Sequence, residues 1–178
     1  SVSGGSSGAL LDLIAVPESR GNYNAWYGNA EQDRVDLSGL SVNEVRDFQN
    51  DLVRSNGGSA IGRYQILDDT LDGLIDRMGI SGNERFTPAL QDRMALQLAR
   101  DAGMEGWIGG RIGDERFARN LSEIWAGLPR DASNERTHPA GRRCAVAQQT
   151  GGKIEGCAGN RDLNAHWCAR TRMREWSA

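Results

Sequence analysis

With 178 residues, 38% of them hydrophobic and 25% charged, the chain has the size and balance of one globular domain with room for a small appendage. A core of that size needs no disulfide or metal to hold it. The formal net charge of −3 argues against a nucleic-acid partner, whose phosphates demand a basic field, and no apolar run nears the ~20 residues that span a bilayer.

Ser1 to Gly8 reads SVSGGSSG. It has neither a basic start nor an apolar stretch, so residues 1–8 read as a flexible linker to a larger parent protein and not as a signal peptide. From Ala9 the run ALLDLIAV puts Leu10, Leu13 and Ile14 at helical spacing. Pro17 disfavours helical geometry at the residue before it, so this helix is expected to end or kink there, leaving Glu18 at its C-terminal end or just beyond. Gly21 to Gly39, rich in Gly, Asn, Asp and Tyr, reads as loop or short hairpin.

Ser41 stands three residues before Glu44, a capping box, and opens a helix with Val42, Val45, Phe48, Gln49 and Leu52 on one face. Ser55 to Ser59 is a turn. Asp68 or Asp69 is expected to cap a helix running from Thr70 to Met78, where Gly79 stops it. Thr87-Pro88 opens another through Leu90, Met94, Leu96 and Leu98 to about Ala102. Asp114 to Trp125 is amphipathic, with Phe117, Leu121, Ile124 and Trp125 at helical offsets, and Leu128-Pro129 ends it. Residues 9–130 thus predict about five helices around one core, with a small irregular lobe between the first and second.

Residues 131–178 differ in character. They hold both histidines, the only lysine and all three cysteines, Cys144, Cys157 and Cys168, with eight Lys or Arg against five Asp or Glu. This basic extension is expected to pack on the domain or complete it, with a late helix from Arg161 to Trp176. Two of the three cysteines are able to pair in an oxidising compartment, the pairing being undetermined. No ligand spacing typical of a metal site occurs.

Two segments carry candidate chemistry. The first runs from Pro17 to Ala25 (PESRGNYNA), a carboxylate at the end of an apolar helix followed by a Gly/Asn/aromatic loop. Glycosidic cleavage needs a carboxylic acid still protonated near neutral pH, and apolar surroundings favour that state. Tyr23, Trp26 and Tyr27 are the aromatic candidates for walls against sugar rings. The second segment runs from Ser59 to Ile66 (SAIGRYQI), where small residues permit close approach and Tyr64 and Gln65 offer hydrogen bonds. Alone, each is better read as structure: the first as a solvated helix end, the second as a turn leading into a helix.

Together, and in order, they resemble the lysozyme-like superfamily, above all lambda-type phage endolysins and related phage-borne muramidase domains. The likeness continues in Phe86-Thr87-Pro88-Ala89-Leu90-Gln91-Asp92, then Ala95-Leu96-Gln97, and in the segment from Asn120 to Pro129 (NLSEIWAGLP). The resemblance implies an α+β, mainly α fold, with a helical body, a small irregular or β lobe from about Gly21 to Ser59 and a cleft between them. It implies Glu18 as the catalytic acid/base. It implies Tyr23, Asn24, Ser59, Gly62, Tyr64 and Gln65 as substrate-binding residues. Trp125 matches a family position, but its helical spacing reads as core. The extension after Pro129 departs from the family pattern, which ends in a helix soon after this point.

The resemblance also frames the reaction, cleavage of the β-1,4 bond between N-acetylmuramic acid and N-acetylglucosamine in peptidoglycan. A hydrolytic muramidase uses a second carboxylate, whereas a lytic transglycosylase needs only the glutamate. In hydrolytic phage lysozymes an aspartate follows the glutamate by nine positions, and here that position is Tyr27. Asp33 and Asp36 are the alternatives for a second carboxylate. No cofactor and no metal are expected, and the chain is expected to be a monomer. The expected partners are peptidoglycan and an inhibitor or immunity protein, and the expected working place is the periplasm or cell exterior. A glycan-binding domain without activity is the reading from a different class.

Overall fold

The computed structural model describes residues 4–28, 35–129, 136–137 and 143–144. Among these residues the architecture is mainly helical: α1 (Gly4–Ser19), α2 (Val42–Asn56), α3 (Asp68–Met78), α4 (Pro88–Asp101), α5 (Met104–Ile108) and α6 (Asp114–Ile124). The strands are two-residue pieces, β1 (Arg136–Thr137) and β2 (Arg143–Cys144), paired antiparallel with Arg136 opposite Cys144. The chain divides into two compact units, and the division falls between Ala99 and Arg100, near the end of α4.

In the first unit, α1 buries Leu10, Leu11, Leu13, Ile14 and Ala15 and leaves Asp12 exposed. It begins at Gly4, inside the stretch read as linker, and it continues past Pro17 to Ser19. Pro17 has no N–H for the Leu13 carbonyl. The helix end beyond it is closed by Arg20 N–H donating to the Val16 carbonyl (3.1 Å) and Gly21 N–H to the Ala15 carbonyl (3.4 Å). The turn is closed by a left-handed Arg20 (φ 56°).

The start of α2 is the expected capping box. Glu44 N–H donates to Ser41 Oγ at 3.3 Å, and Ser41 N–H donates to the Glu44 carboxylate at 2.7 Å. Its buried face is Val42, Val45, Gln49 and Leu52, and Gly57 ends it in the left-handed conformation. Gly79 ends α3 in the same way. The start of α3 differs from expectation: Asp68 and Asp69 lie in its first turn and Leu67 is the capping position, without a side-chain cap. The cap is supplied from outside, because Asp68 N–H donates to Ser59 Oγ (3.2 Å). Thr87 Oγ1 accepts from Leu90 N–H (3.3 Å) as α4 opens on Pro88.

Between Gly21 and the start of α2 the described residues form turns and a 3-10 turn at Leu37–Gly39, not the strands expected for a β lobe. The extended pairing there is limited to isolated bridges, Trp26 with Ile61, Ile61 with Ile66, and Ser41 with Arg85. In the second unit Ala102, Met104, Phe117, Ala118, Leu121, Trp125 and Leu128 are buried. Trp107 and Phe117 stack at 4.8 Å, and Asn120 Nδ2 donates to the Ala102 carbonyl (2.7 Å). Trp125 is a core residue, as its spacing predicts. The short α5 sits among Gly103, Gly106, Gly109 and Gly110. The helix expected from Arg161 to Trp176, together with Cys157 and Cys168, lies outside the described residues.

Candidate active site

Glu18 occupies the last turn of α1 and is half-buried. Its neighbour Ser19 is buried, and the Ser19 hydroxyl donates to the Arg63 carbonyl at 2.6 Å. This bond brings the two candidate segments of the sequence, 44 residues apart, into direct contact. A serine suits the position because it is small enough to bury and its hydroxyl is satisfied by a carbonyl.

The loop after Glu18 then runs alongside the second segment. Gly62 N–H donates to the Ala25 carbonyl (2.7 Å) and Tyr27 N–H to the Ala60 carbonyl (2.8 Å), the two bonds that flank the antiparallel Trp26–Ile61 bridge. Ile61 and Ile66 exchange both backbone bonds, which folds Ser59–Ile66 into a tight hairpin. Gly62 (φ 72°) and Gln65 (φ 48°) make its turn in left-handed geometry. For Gly62 the conformation and the space both require glycine, since a Cβ there would meet Gln91 Oε1 at 2.4 Å.

Two buried glutamines hold this hairpin. From α2, Gln49 Nε2 donates to the carbonyls of Ser59 (2.8 Å) and Ile66 (3.1 Å). From α4, Gln91 Nε2 donates to the carbonyls of Tyr23 (3.2 Å) and Phe86 (3.1 Å), while Gln91 Oε1 accepts from Arg63 N–H (3.0 Å). A tight turn leaves backbone groups with no ladder partner, and a buried primary amide has the donors and acceptor to satisfy several at once.

The side chains of the hairpin form a second layer. Arg63 Nη1 donates to the hydroxyls of Tyr23 (2.9 Å) and Tyr64 (3.1 Å), and both hydroxyls donate to Asp92 Oδ1, at 2.9 and 2.6 Å. Arg63 Nη2 pairs with Asp12 of α1. Burial, reinforced by the bond to Asp92, pushes the Tyr23 hydroxyl above its ordinary range and the Tyr64 hydroxyl well above it, so both stay protonated donors. Burial works against the Arg63 charge, and the Tyr64 and Asp12 interactions more than offset it, so Arg63 titrates above its ordinary range.

The residues expected to bind substrate are therefore placed in different ways. Tyr64 is fully buried (0% exposed) with its hydroxyl engaged by Asp92. Ser59 is buried with its hydroxyl donating to Asp68 (2.6 Å), and this bond holds the Asp68 carboxyl below its ordinary range. Asn24 Oδ1 accepts from the Ser38 N–H and hydroxyl, pinning the 3-10 turn to the loop. Tyr23 and Gln65 are half-buried, and Gln65 Nε2 donates to the Gly62 carbonyl (3.0 Å). Trp26 packs edge-on against Phe48, whereas Tyr27 is 45% exposed, with one side of its ring against Gly58.

Asp36 is exposed and turned back over its own 3-10 turn, close enough that a Cβ on Gly39 would meet its Oδ2 at 2.6 Å. Asp33 lies outside the described residues, and Cys144 sits in β2. Among the described residues no group of three or more His, Cys, Asp or Glu is placed to hold a metal ion, and no helix is long and apolar enough to cross a membrane. Sequence reasoning did not single out Asp12, Gln91 or Asp92 as site residues. The available signal was a polar side chain at a buried helix position: Gln91 follows Leu90 and precedes Met94, both buried.

The arrangement presents one carboxyl group at a helix end beside a rigidly braced hairpin, with an exposed aromatic ring further along the same pairing. Comparison with known proteins adds two matches. A family model described as Endolysin matches residues 8–154. An endolysin of Escherichia phage P2 is 29% identical over 159 residues, covering 81% of this chain and 92% of that relative. No solved structure gives a significant match.

Proposed function

This chain belongs to the endolysin family, and from that premise we propose that it degrades peptidoglycan by cutting the β-1,4 bond between N-acetylmuramic acid and N-acetylglucosamine, with Glu18 as the proton donor. The observation that carries the reading is the Ser19–Arg63 bond, which sets the one carboxyl-bearing helix end of the motif against the braced hairpin. A helix C-terminus is the negative pole of the helix dipole and disfavours a second negative charge, the setting a general acid requires.

The reaction we propose is single-glutamate transglycosylation. Glu18 donates its proton to the departing glycosidic oxygen as the bond from the muramic acid C1 breaks. The substrate's acetamido oxygen supports C1, the C6 hydroxyl then closes onto C1, and its proton returns to Glu18. Two observations support one carboxylate over two. The position nine residues after Glu18 is the exposed Tyr27, and Asp36 is folded over its own turn. Tyr27 and Gln65 are assigned to the saccharide. Tyr64, Ser59, Gly62 and Asn24 shape the surface that Gln65 and the loop present, and Tyr23 contributes through the Arg63 network. The working place follows from the substrate, the cell wall outside the cytoplasm.

Digestion of purified peptidoglycan, with products weighed by mass spectrometry, tests this. Wild type is expected to release muropeptides lighter by one water than hydrolysed ones, the mark of anhydro ends, and Glu18→Gln to release none. Full-mass reducing ends would replace transglycosylation by hydrolysis and direct the search to Asp33 and Asp36. No product from the wild type would leave a glycan-binding domain.

A further inference from the structure

We propose that Arg63 is the positioning residue of this site, a two-point clamp on the helix that carries Glu18. The proposal rests on the reading of Glu18 as proton donor and adds how the glutamate is held. Arg63 touches α1 twice. Its carbonyl accepts from the Ser19 hydroxyl, one residue beyond Glu18, and its guanidinium pairs with Asp12, six residues before Glu18. Seven residues of α-helix separate the two anchors, about 10 Å along the axis. A helix gripped at two points that far apart cannot roll or slide without breaking one of them, and Glu18 lies between them.

Arg63 is itself immobilised. Its N–H donates to Gln91 Oε1 (3.0 Å), and Nη1 reaches the Tyr23 and Tyr64 hydroxyls that converge on Asp92. Tyr23 belongs to the loop that follows Glu18, so one side chain steadies the chain on both sides of the glutamate. Its guanidinium also lies over the Tyr23 ring, 5.0 Å from the centroid. Lysine cannot replace this: one ammonium has neither the planar fork that serves Asp12 with one nitrogen and two hydroxyls with the other, nor the flat face for the ring.

An ordinary structural ion pair predicts something different, and Asp12 separates the two. The Asp12 side chain is 67% exposed, and an exposed pair contributes little to stability. Asp12→Asn is therefore expected to leave the melting temperature unchanged, while loosening one anchor lowers kcat several-fold. Misplacement of a catalytic group by ~1 Å costs on the order of 100-fold, so Arg63→Met is expected to approach that loss in kcat, with Arg63→Lys intermediate. For Asp12→Asn KM is expected to stay within about twofold, since that anchor acts on the acid and not on the glycan.

The experiment measures kcat and KM on solubilised peptidoglycan strands, with thermal unfolding, for Asp12→Asn, Arg63→Lys, Arg63→Met and Glu18→Gln. Folded Asp12→Asn and Arg63→Lys proteins with wild-type kcat, beside an inactive Glu18→Gln, would overturn the clamp alone. An active Glu18→Gln would overturn the assignment of Glu18 and the clamp with it. Should Arg63→Met fail to fold, Asp12→Asn and Arg63→Lys decide the question.

Discussion

Among the described residues, each of the two units of this protein is ordered by a different balance of chemistry. In the first, the buried polar side chains Ser19, Gln49, Ser59 and Gln91 make bonds that reach far along the chain, such as Ser19 to Arg63 and Gln91 to Tyr23. Among the described residues of the second, the buried polar residue Ser122 bonds to the Arg119 carbonyl within its own helix, Asn120 reaches the Ala102 carbonyl, and apolar packing such as the Trp107–Phe117 stack carries most of the order. Apolar packing asks only for volume and shape, whereas a buried hydrogen-bond hub asks for particular atoms. The polar hold is found where the backbone is least regular, around the left-handed Gly62 and Gln65, and that is the segment set against Glu18.

The sharpest way to break this contrast is to truncate and then merely reshape one member of each kind. Phe117→Ala is expected to cost about 3–5 kcal/mol in urea unfolding, and the gentler Phe117→Leu at most about 1.5 kcal/mol. Gln91→Met keeps nearly the same volume, yet it deprives the Tyr23 and Phe86 carbonyls and the Arg63 N–H of their partners. It is expected to cost about 2–4 kcal/mol. If Gln91→Met proves as mild as Phe117→Leu, the two regions do not differ in kind.

Gly62→Ala sharpens the same comparison at smaller scale. It adds one methyl group, 2.4 Å from Gln91 Oε1, at a φ of 72°. About 1–3 kcal/mol of destabilisation is expected from strain and displacement of the glutamine, together with a lower rate of peptidoglycan digestion. A melting temperature and rate equal to wild type would show that the hairpin tolerates what its geometry forbids.

Local signals in the sequence were legible because their causes are local. The Ser41/Glu44 box, the stop at Gly79 and the Thr87-Pro88 start each depend on residues within one turn, and each is where spacing placed it. Gln49 was legible as part of a buried face, though not its purpose, because its partners Ser59 and Ile66 are 10 and 17 residues away. Asp68 shows the opposite error. It has the chemistry of a cap, but Ser59 supplies an oxygen to its N–H from outside the helix, so it moves into the first turn. The run through Pro17 was illegible for a related reason, since the bonds that close that helix end involve the left-handed Arg20, a conformation no spacing rule assigns to arginine. The candidate site was readable as two segments and one glutamate; the network of Asp12, Arg63, Gln91 and Asp92 joining them is a property of the folded chain alone.

The smallest effect expected concerns pH, and it follows from Ser59 and Asp68. The Ser59 hydroxyl donates to the Asp68 carboxylate and holds its pKa below the ordinary 3.8. A carboxyl whose folded pKa is depressed binds protons less readily in the native state than in the unfolded chain. Its contribution to stability is therefore complete above the unfolded value and is lost as the pH falls through the folded one. Ser59→Ala removes the main cause of the depression. The variant is expected to be slightly less stable than wild type at neutral pH, and the gap is expected to narrow as the pH is taken below 3.8, where Asp68 protonates in both proteins. Melting temperatures of the pair across that range read the gap directly. A gap that stays constant would mean that Ser59 acts only through the Asp68 N–H it caps, and that the charge on Asp68 plays no part in holding the hairpin to α3.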